Sequence, residues 1–282
     1  MSGKIRKRKM LLFSNAKINL GLHVTQRRPD GFHNIETAFF PIGWCDVVEV
    51  LPARASLSLH CSGLRVDVGQ EDNLCARAFR LLQKDFGLAG ADIFLHKQVP
   101  LGAGLGGGSS NAACVLRALS EVFRLALPPR TLAGYAAQLG SDCAFFIYNT
   151  PMLATGRGEI LQPVEVDLSG YALLVVKPPL SVSTAEAYAG VAPRAPAADL
   201  RSTIARGVEA WREALVNDFE PSVFAKYPLL GRIKRALYGC GARYAAMSGS
   251  GAAVFGIFRE MPADVERLFP DCTLFKQVLI ND

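Results

Sequence analysis

Apolar and polar residues alternate over much of the first 60 positions of this chain. The alternation is regular from Ile18 to Val24 and returns between Val47 and Leu59, beyond turn-forming residues at 28–31. A period of two places every second side chain on the same face of a strand. The pattern therefore predicts a β-rich opening from Leu11 to Leu59.

A helix, a strand and a second helix are predicted next. Asn73 is a typical N-cap for a helix that runs through Phe86, and residues 93–97 form a short strand. A glycine-rich segment follows, and apolar residues then recur at helical spacing from Ser109 to Phe123. The glycines are therefore expected at the N-terminus of a helix.

The second half mixes short helices and strands. The predicted elements are a helix at 131–139, an apolar run at 144–148, a hairpin at 152–161 with its bend at Gly156 and Gly158, strands at 171–177, 244–247 and 253–258, helices near Glu209 and at 227–238, and a surface loop at 191–199. We place a domain boundary near residue 165 and so expect domains at 10–165 and 166–282.

Composition limits the function classes. The chain has 282 residues, of which 50% are apolar, so one or two folded domains are expected. The formal charge is +6, but five of the 31 basic residues lie in the segment 1–9, leaving 26 bases against 25 acids. We expect this segment to be a disordered basic tail and the protein not to bind nucleic acid.

Apolar runs and cysteines indicate a soluble cytoplasmic protein. Polar residues interrupt the apolar run at 10–13 before a signal peptide could form, and no run approaches the ~20 residues that span a bilayer. The seven cysteines show no CxxC pair and no histidine at zinc spacing, so no metal ligands are assigned. No membrane association is expected.

The glycine segment is the strongest candidate for binding chemistry. Unhindered backbone N–H groups and the positive end of a helix dipole meet there, and together they favour phosphate. Ser109 and Ser110 either add hydroxyl donors or simply cap the helix. The proposed phosphate-binding residues are Pro100, Leu101, Gly102, Ala103, Gly104, Leu105, Gly106, Gly107, Gly108, Ser109 and Ser110.

Three other readings of this segment are weaker. Gly102, Gly104 and Gly107 satisfy GxGxxG, but the acidic strand end expected about 20 residues later is replaced by residues 126–130, which lead into a helix. The Walker pattern requires a lysine where Gly108 or Ser109 stands. A mobile linker would not be followed by a regular helical pattern.

The motifs resemble those of a known superfamily. The segment 100–111 resembles the phosphate loop of the GHMP kinases, and Met247 to Ala252 resembles their late glycine loop. Within that superfamily, the blocks at 14–20, 30–33, 139–142 and 154–159 are similar to those of the family of 4-diphosphocytidyl-2-C-methyl-D-erythritol kinases. The six blocks occur in the family's order and span most of the chain.

The resemblance implies a fold and a reaction. It implies an α+β GHMP kinase fold, with a β-rich nucleotide-binding N-terminal domain, a smaller ferredoxin-like C-terminal domain and an active site between them. It also implies transfer of phosphate from ATP to the 2-hydroxyl of the cytidylylated methylerythritol, a step of the non-mevalonate (MEP) pathway to isoprenoids and terpenoids. Mg²⁺ is expected with ATP, and we expect a monomer or a weak homodimer.

Two residues match the catalytic positions of this family. Asp142 matches the catalytic base and Lys17 the catalytic lysine. Without the resemblance, Asp142 would be equally well explained as a helix N-cap and Lys17 as a cation at a strand edge. Cys143 departs from the family pattern, and small buried packing is its favoured interpretation.

Further residues match ligand-binding positions. Phe32, His33 and Tyr188 match positions that hold the cytosine ring, although Phe32 stands where tyrosine is common and a Phe-His pair could instead pack locally. Polar contacts to the acceptor are matched by Asn19, Thr184, Ser248 and Gly249. Thr184 could instead cap the helix that carries Tyr188. Asn73 and Lys97 resemble positions near the adenine, with capping and solvated alternatives.

Two rival functions remain at this stage. A kinase of the same superfamily could act on mevalonate or homoserine, but neither substrate has a base to stack on the 30–33 block. A catalytically inert metabolite sensor on the same fold is disfavoured by the presence of both Lys17 and Asp142. ATP turnover distinguishes the sensor from the kinases.

Overall fold

The computed structural model of this chain describes residues 8–280 except 55, 67 and 197. The strands are β1 Met10–Arg27, β2 His33–Pro52, β3 Leu57–Gly63, β4 Ala91–Lys97, β5 Met152–Thr155, β6 Ile160–Pro163, β7 Ala172–Lys177, β8 Tyr244–Met247, β9 Val254–Phe258 and β10 Thr273–Val278. The helices are α1 Leu74–Phe86, α2 Gly107–Val122, α3 Pro129–Leu139, α4 Cys143–Tyr148, α5 Thr184–Ala189, α6 Leu200–Ala205, α7 Trp211–Ala214, α8 Glu220–Lys226, α9 Pro228–Gly239 and α10 Val265–Leu268.

The chain packs as two compact units that interleave along the sequence. The first unit contains the described parts of 1–16, 43–101 and 106–149, and the second those of 17–42, 102–105 and 150–282. The long strands β1 and β2 each contribute to both units. The predicted family boundary near residue 165 stays a prediction, since these packing units are not divided at a single point.

A six-stranded sheet has the order β3-β4-β2-β5-β6, with β1 beside β2. In the first unit, the C-terminal half of β2 runs antiparallel to β4, with Val48 opposite Leu95. In the second unit, the N-terminal half of β2 runs antiparallel to β5, with Ala38 opposite Leu153. The β-rich opening predicted from the alternating pattern is confirmed.

Helix α2 forms the core of the first unit together with α1, α3 and α4, which all contact it. Its residues Ala112, Val115, Leu116 and Leu119 are fully buried. Burial of one such leucine stabilises the fold by roughly 1.5–3 kcal/mol. The glycines preceding α2 are therefore fixed to a well-packed helix.

The second unit contains a four-stranded antiparallel sheet with the order β10-β7-β9-β8. Every residue of β7, β8 and β9 is buried, whereas the edge strand β10 is half-exposed. Leu230, Ile233 and Leu237 of α9 pack into the same core as Leu174 and Val254 of the sheet. The α+β fold class is confirmed.

Most predicted elements match observed ones within a few residues. One difference lies at α2, which begins at Gly107 rather than at Ser109, so two glycines lie inside its first turn. The basic tail can be examined only in part, because residues 1–7 lie outside the described residues. Arg8 and Lys9 make exposed contacts with Glu121 and Glu49. Over the described ranges, no helix combines the length and apolarity needed to cross a bilayer.

Candidate active site

The start of α2 presents uncapped backbone N–H groups. Its N-cap residue is Gly106, which has φ 70° and makes no side-chain capping hydrogen bond. The first N–H groups of a helix lack partners within the helix, and the helix dipole makes that end positive. The turn that begins at Gly107 can therefore hold an anionic group, as the glycine pattern predicts.

Neither candidate serine caps this helix. The N-cap is Gly106, so Ser109 and Ser110 lie inside the first two turns and the capping alternative is wrong. The Ser110 hydroxyl accepts a hydrogen bond from the Ser14 hydroxyl at 2.8 Å and is buried. Ser110 is thus held on β1, while the role of Ser109 toward phosphate stays a prediction.

A buried ion pair lies beneath the first turns of α2. The Lys97 ammonium pairs with the Asp46 carboxylate and donates to Asn111 Oδ1 at 3.2 Å. Lys97 is 2% exposed and Asp46 0%. Lys97 is also close beneath the helix, since a Cβ atom built at Gly107 would lie 3.2 Å from Lys97 Nζ. The solvated alternative for Lys97 is therefore wrong.

Asp46 organises the strand that leads into the glycine segment. Its Oδ1 accepts from the backbone N–H of Gln98 at 2.7 Å and of Val99 at 2.8 Å. Its Oδ2 also accepts from Asn111 Nδ2 at 2.8 Å. Sequence reasoning did not single out Asp46, because nothing near it in sequence signals a partner 51 residues away.

Asp142 and Cys143 lie at the start of α4 in the same unit. Asp142 occupies the N-cap position, but its side chain makes no capping hydrogen bond there, so the capping alternative does not explain it. Burial raises the pKa of the Cys143 thiol to about 11, which outweighs the lowering effect of a hydrogen bond with Ser109. A thiol with that pKa is protonated near neutral pH, which agrees with the packing interpretation of Cys143.

In the second unit, Lys17 is held on the glycine segment. Its Nζ donates to Asn19 Oδ1 at 2.6 Å and to the Gly104 carbonyl at 3.0 Å, and it lies 5.0 Å from the centre of the Phe39 ring. Asn19 in turn donates through Nδ2 to the Thr37 hydroxyl at 2.9 Å. Lys17 is only 3% exposed, so it is not a solvated cation at a strand edge.

The late glycine loop reaches the same acceptors. The Ser248 hydroxyl donates to the Gly104 carbonyl at 2.8 Å and lies 3.4 Å from Asn19 Oδ1. Gly104 has φ 73°, and a Cβ atom there would lie 1.9 Å from the Ser248 carbonyl oxygen. Only glycine fits this close approach. The structure therefore brings together Lys17, Asn19, Gly104 and Ser248, with Gly249 beside them.

The three aromatic residues predicted to hold the cytosine also lie in this unit. The His33 and Tyr188 rings stack, with centroids 4.8 Å apart and an angle of 16° between their planes. Phe32 is 55% exposed, and the Arg157 guanidinium lies 4.9 Å from its ring centre. The local turn is held by Asp30, whose carboxylate accepts from the Phe32 N–H at 3.1 Å. His33 is thus stacked on Tyr188, while Phe32 remains available at the surface.

The capping alternative is wrong for Thr184 and right for Asn73. The helix that carries Tyr188 is α5, and its N-cap is Ser183, whose hydroxyl accepts from the Glu186 N–H at 3.1 Å. Thr184 is therefore not the cap, and its hydroxyl lies 3.4 Å from that of Ser250 in the late glycine loop. Asn73, by contrast, does cap α1 by accepting from the Cys75 N–H.

Comparison with known proteins identifies the superfamily first. Residues 73–150 match the model of the GHMP kinases N terminal domain, and residues 200–268 match the GHMP kinases C terminal model. A 4-diphosphocytidyl-2-C-methyl-D-erythritol kinase of Bacteroides thetaiotaomicron is 49% identical over 252 residues, covering 88% of this chain and 92% of the relative. The relative of that name from Porphyromonas gingivalis is 43% identical, covering 96% of this chain and all of the relative.

This chain belongs to the 4-diphosphocytidyl-2-C-methyl-D-erythritol kinase family. The solved structure of a 4-(cytidine 5'-diphospho)-2C-methyl-D-erythritol kinase agrees, with a TM-score of 0.79, 32% identity and coverage of 95% of this chain and 98% of that one. The mevalonate kinase of Methanococcus jannaschii has a TM-score of 0.72 at 14% identity, covering 98% of this chain and all of that one, and this likeness shows a common fold and no more. The chain is thus a kinase of a family that uses ATP, and its site residues can be interpreted within that chemistry.

Proposed function

We propose that this chain transfers the γ-phosphoryl group of ATP to the 2-hydroxyl of 4-diphosphocytidyl-2-C-methyl-D-erythritol, giving the 2-phosphate and ADP. Membership of the family supports the reaction. The observation that carries the proposal is the Lys17 ammonium, held 3.0 Å from the carbonyl of Gly104 in the glycine segment. A buried cation at a phosphate-binding loop favours the charge of a transferring phosphoryl group.

Asp142 is proposed as the general base. The proton of the 2-hydroxyl would pass to the Asp142 carboxylate as the hydroxyl oxygen forms its bond to the γ-phosphorus. The bond from that phosphorus to the bridging oxygen breaks, and ADP leaves with the electron pair. Phosphoryl transfer has a loose transition state, so positioning of the hydroxyl contributes more than the basicity of the acceptor.

The acceptor's cytosine is assigned to the aromatic residues. His33, Tyr188 and Phe32 supply ring faces and a ring nitrogen, which suit a planar base with polar edges. Asn19, Thr184, Ser248 and Gly249 are proposed to contact the rest of the acceptor. Neither mevalonate nor homoserine contains a base for this aromatic group, which favours a cytidylylated acceptor.

The adenine half of ATP is assigned to Asn73 and Lys97. Asn73 begins α1 in the unit that also contains α2. The Lys97 ammonium is already engaged by Asp46 and Asn111, so we propose that Lys97 acts by supporting the ATP site from beneath.

Mg²⁺ is proposed to accompany ATP, and it would neutralise the β- and γ-phosphates when bound. Across residues 8–280, apart from the three undescribed positions, no group of three or more His, Cys, Asp or Glu side chains could hold a metal ion. Mg²⁺ at such sites usually keeps several waters and is bound through substrate phosphates together with only one or two carboxylates, so it needs no cluster of protein ligands. The ion is therefore proposed to be held mainly by phosphate oxygens and water.

The test combines one substitution with three acceptors. Purified protein is incubated with Mg-ATP and, separately, the cytidylylated methylerythritol, mevalonate or homoserine, and ADP release is measured. We expect turnover only with the first, and we expect Asp142→Asn to lower it by about 100-fold or more while ATP still binds. Asp85→Asn is the control, because its carboxylate contacts the Tyr135 hydroxyl at the surface. Failure of the first acceptor alone contradicts the proposed substrate, and near-normal turnover of Asp142→Asn removes the base.

A further inference from the structure

Four consecutive buried or nearly buried residues, Asn217 to Glu220, contact parts of the second unit that are far apart in sequence. The first of them, Asn217, forms an isolated parallel bridge with Leu22 of β1. The backbone of this segment is anchored on both sides of that bridge, since Leu22 N donates to Val216 O at 2.8 Å and Asp218 N to Leu22 O at 2.9 Å. The side chains are thus fixed relative to β1, the strand that carries Lys17.

Asn217 binds the two residues on either side of Ser248. Its Nδ2 donates to the carbonyls of Met247 and Gly249, each at 2.8 Å, and its Oδ1 accepts from the Phe219 N–H at 3.0 Å. Asn217 is 3% exposed. A buried amide with all these bonds satisfied determines the path of the loop, and the loop determines where the Ser248 hydroxyl meets Gly104.

Glu220 adds a third bond to the same loop. Its Oε1 accepts from the Met247 N–H at 2.8 Å, and its Oε2 pairs with the Lys234 ammonium at 2.6 Å. The start of the late glycine loop is therefore held through both its N–H and its carbonyl group. The loop carries the candidate Ser248, which shares its acceptors with Lys17.

Phe219 contacts the other half of the site. Its ring meets that of Tyr188 edge to face, with centroids 4.8 Å apart and planes at 84°. Tyr188 also stacks on His33, with ring centroids 4.8 Å apart. Phe219 is 2% exposed, so it is a rigid support for the Tyr188 ring rather than a surface on which a ligand could bind.

We propose that Asn217 and Phe219 are positioning residues that serve two different substrates from one short segment. Asn217 sets the late glycine loop, and with it the contact of Ser248 with the phosphate segment. Phe219 sets the Tyr188 ring for the cytosine of the acceptor. The inference rests on the proposed function for the identity of the acceptor, whereas the two support contacts are independent of it.

The two roles predict effects on two different ligands, ATP for Asn217 and cytidine 5'-diphosphate for Phe219. Asn217→Asp keeps the side-chain volume but places a carboxylate oxygen against two carbonyl oxygens, so the loop must move. A shift near 1 Å in such a loop can cost about 100-fold in rate, and we expect kcat/KM for ATP to fall by that order. Binding of cytidine 5'-diphosphate, measured by calorimetry, should be unchanged in this variant.

Phe219→Leu should affect binding of cytidine 5'-diphosphate and not of ATP. Loss of one aromatic contact corresponds to roughly 3- to 10-fold, so the dissociation constant for cytidine 5'-diphosphate should rise by that factor. The dissociation constant for ATP should stay unchanged. Phe258→Leu makes the same exchange at a buried ring on β9, and Leu237→Ala destabilises α9; both should lower the melting temperature without changing either dissociation constant.

A double-variant cycle tests whether Asn217 acts through Ser248. Asn217→Ala removes both donors without adding charge and serves if the aspartate variant does not fold. If the effect passes through Ser248, adding Asn217→Ala to Ser248→Ala lowers kcat little further. If the two losses multiply, the positioning role of Asn217 is wrong.

The outcomes separate this inference from the proposed function. The two-substrate division is overturned if both variants impair the use of ATP and the binding of cytidine 5'-diphosphate equally. It is also overturned if neither variant changes either quantity. If the parent protein binds ATP but not cytidine 5'-diphosphate and does not turn over the acceptor, the proposed substrate is wrong. The Asn217 role is then tested by ATP binding alone, where Asn217→Asp should raise the dissociation constant for ATP and an unchanged constant refutes that role, and the role of Phe219 is refuted.

Discussion

The buried pair of Lys97 and Asp46 gives a prediction whose size can be worked out from its contacts. Lys97→Met preserves most of the side-chain volume but removes the cation. Asp46 then keeps three neutral donors, the N–H groups of Gln98 and Val99 and the amide of Asn111. The carboxylate remains buried without a positive partner.

Breaking a buried ion pair from one side costs about 3–5 kcal/mol. The three donors that remain favour the lower end, so we expect the free energy of unfolding to fall by about 3 kcal/mol. For a protein of this size, each kcal/mol corresponds to roughly 2–4 °C in melting temperature, so a decrease of about 6–12 °C is expected. Urea unfolding followed by circular dichroism, together with a thermal scan, measures both quantities.

Two further variants make the reasoning refutable. Lys9→Met removes a lysine from an exposed pair with Glu49 in the same unit and should have no measurable effect. In Asp46→Asn/Lys97→Met neither charge remains, and the double variant should be more stable than the sum of the single effects by about 2 kcal/mol. An ordinary surface substitution changes the free energy of unfolding by no more than ~0.5 kcal/mol. If the free energy of unfolding of Lys97→Met differs from that of the parent by no more than this, the burial argument is wrong.

Three shorter predictions concern the glycine segment, the buried thiol and the cytosine residues. In Gly104→Ala the new Cβ would lie 1.9 Å from the Ser248 carbonyl oxygen, so kcat/KM for ATP should fall by about 100-fold. The control is Gly134→Ala on α3, where the Cβ meets open space and kcat/KM should not change. Equal kinetics in both variants would contradict the close-approach argument. Because burial raises the pKa of Cys143 to about 11, iodoacetamide at pH 8 should leave this thiol unmodified in a peptide map. The variant Cys143→Ala should keep kcat within about 3-fold of the parent value. Alkylation of Cys143 in the folded protein would refute its assignment to packing. Phe32→Tyr, which adds the hydroxyl common in the family at an exposed ring, should tighten or leave unchanged the KM of the acceptor and not alter that of ATP; an increase of 5-fold or more, about 1 kcal/mol, would mean that the ring is placed otherwise.

Local signals in the sequence were enough to predict the start of the site. Asn73 caps α1 as expected because capping depends on residues two or three positions apart. The glycine segment precedes a helix as expected, with an error of two residues at the helix start, where glycine has low helix propensity but no side chain to oppose a phosphate. Such features need only neighbouring residues.

Long-range partners could not be predicted in this way. Asp46 sits in an ordinary alternating strand, and only the fold brings it to Lys97, 51 residues away. Asn217 acts through backbone carbonyls 30 and 32 residues away, and carbonyl groups carry no sequence signal at all. The edge strand β10 was missed because its half-exposed residues lack the clear alternation of a strand with one buried face.

The interleaving of the two units has a consequence for synthesis of the protein on the ribosome. Leu22 emerges early, but its backbone partners Val216 and Asp218 are made about 190 residues later, roughly 10–40 s at bacterial rates. The first unit is complete once residue 149 has emerged, whereas the apolar face of β1 in the second unit must wait for the C-terminal half. A chain cut near residue 165 would lack the core residues from the C-terminal half that pack with Leu22 and Val24, so we expect this enzyme to need expression as a whole chain.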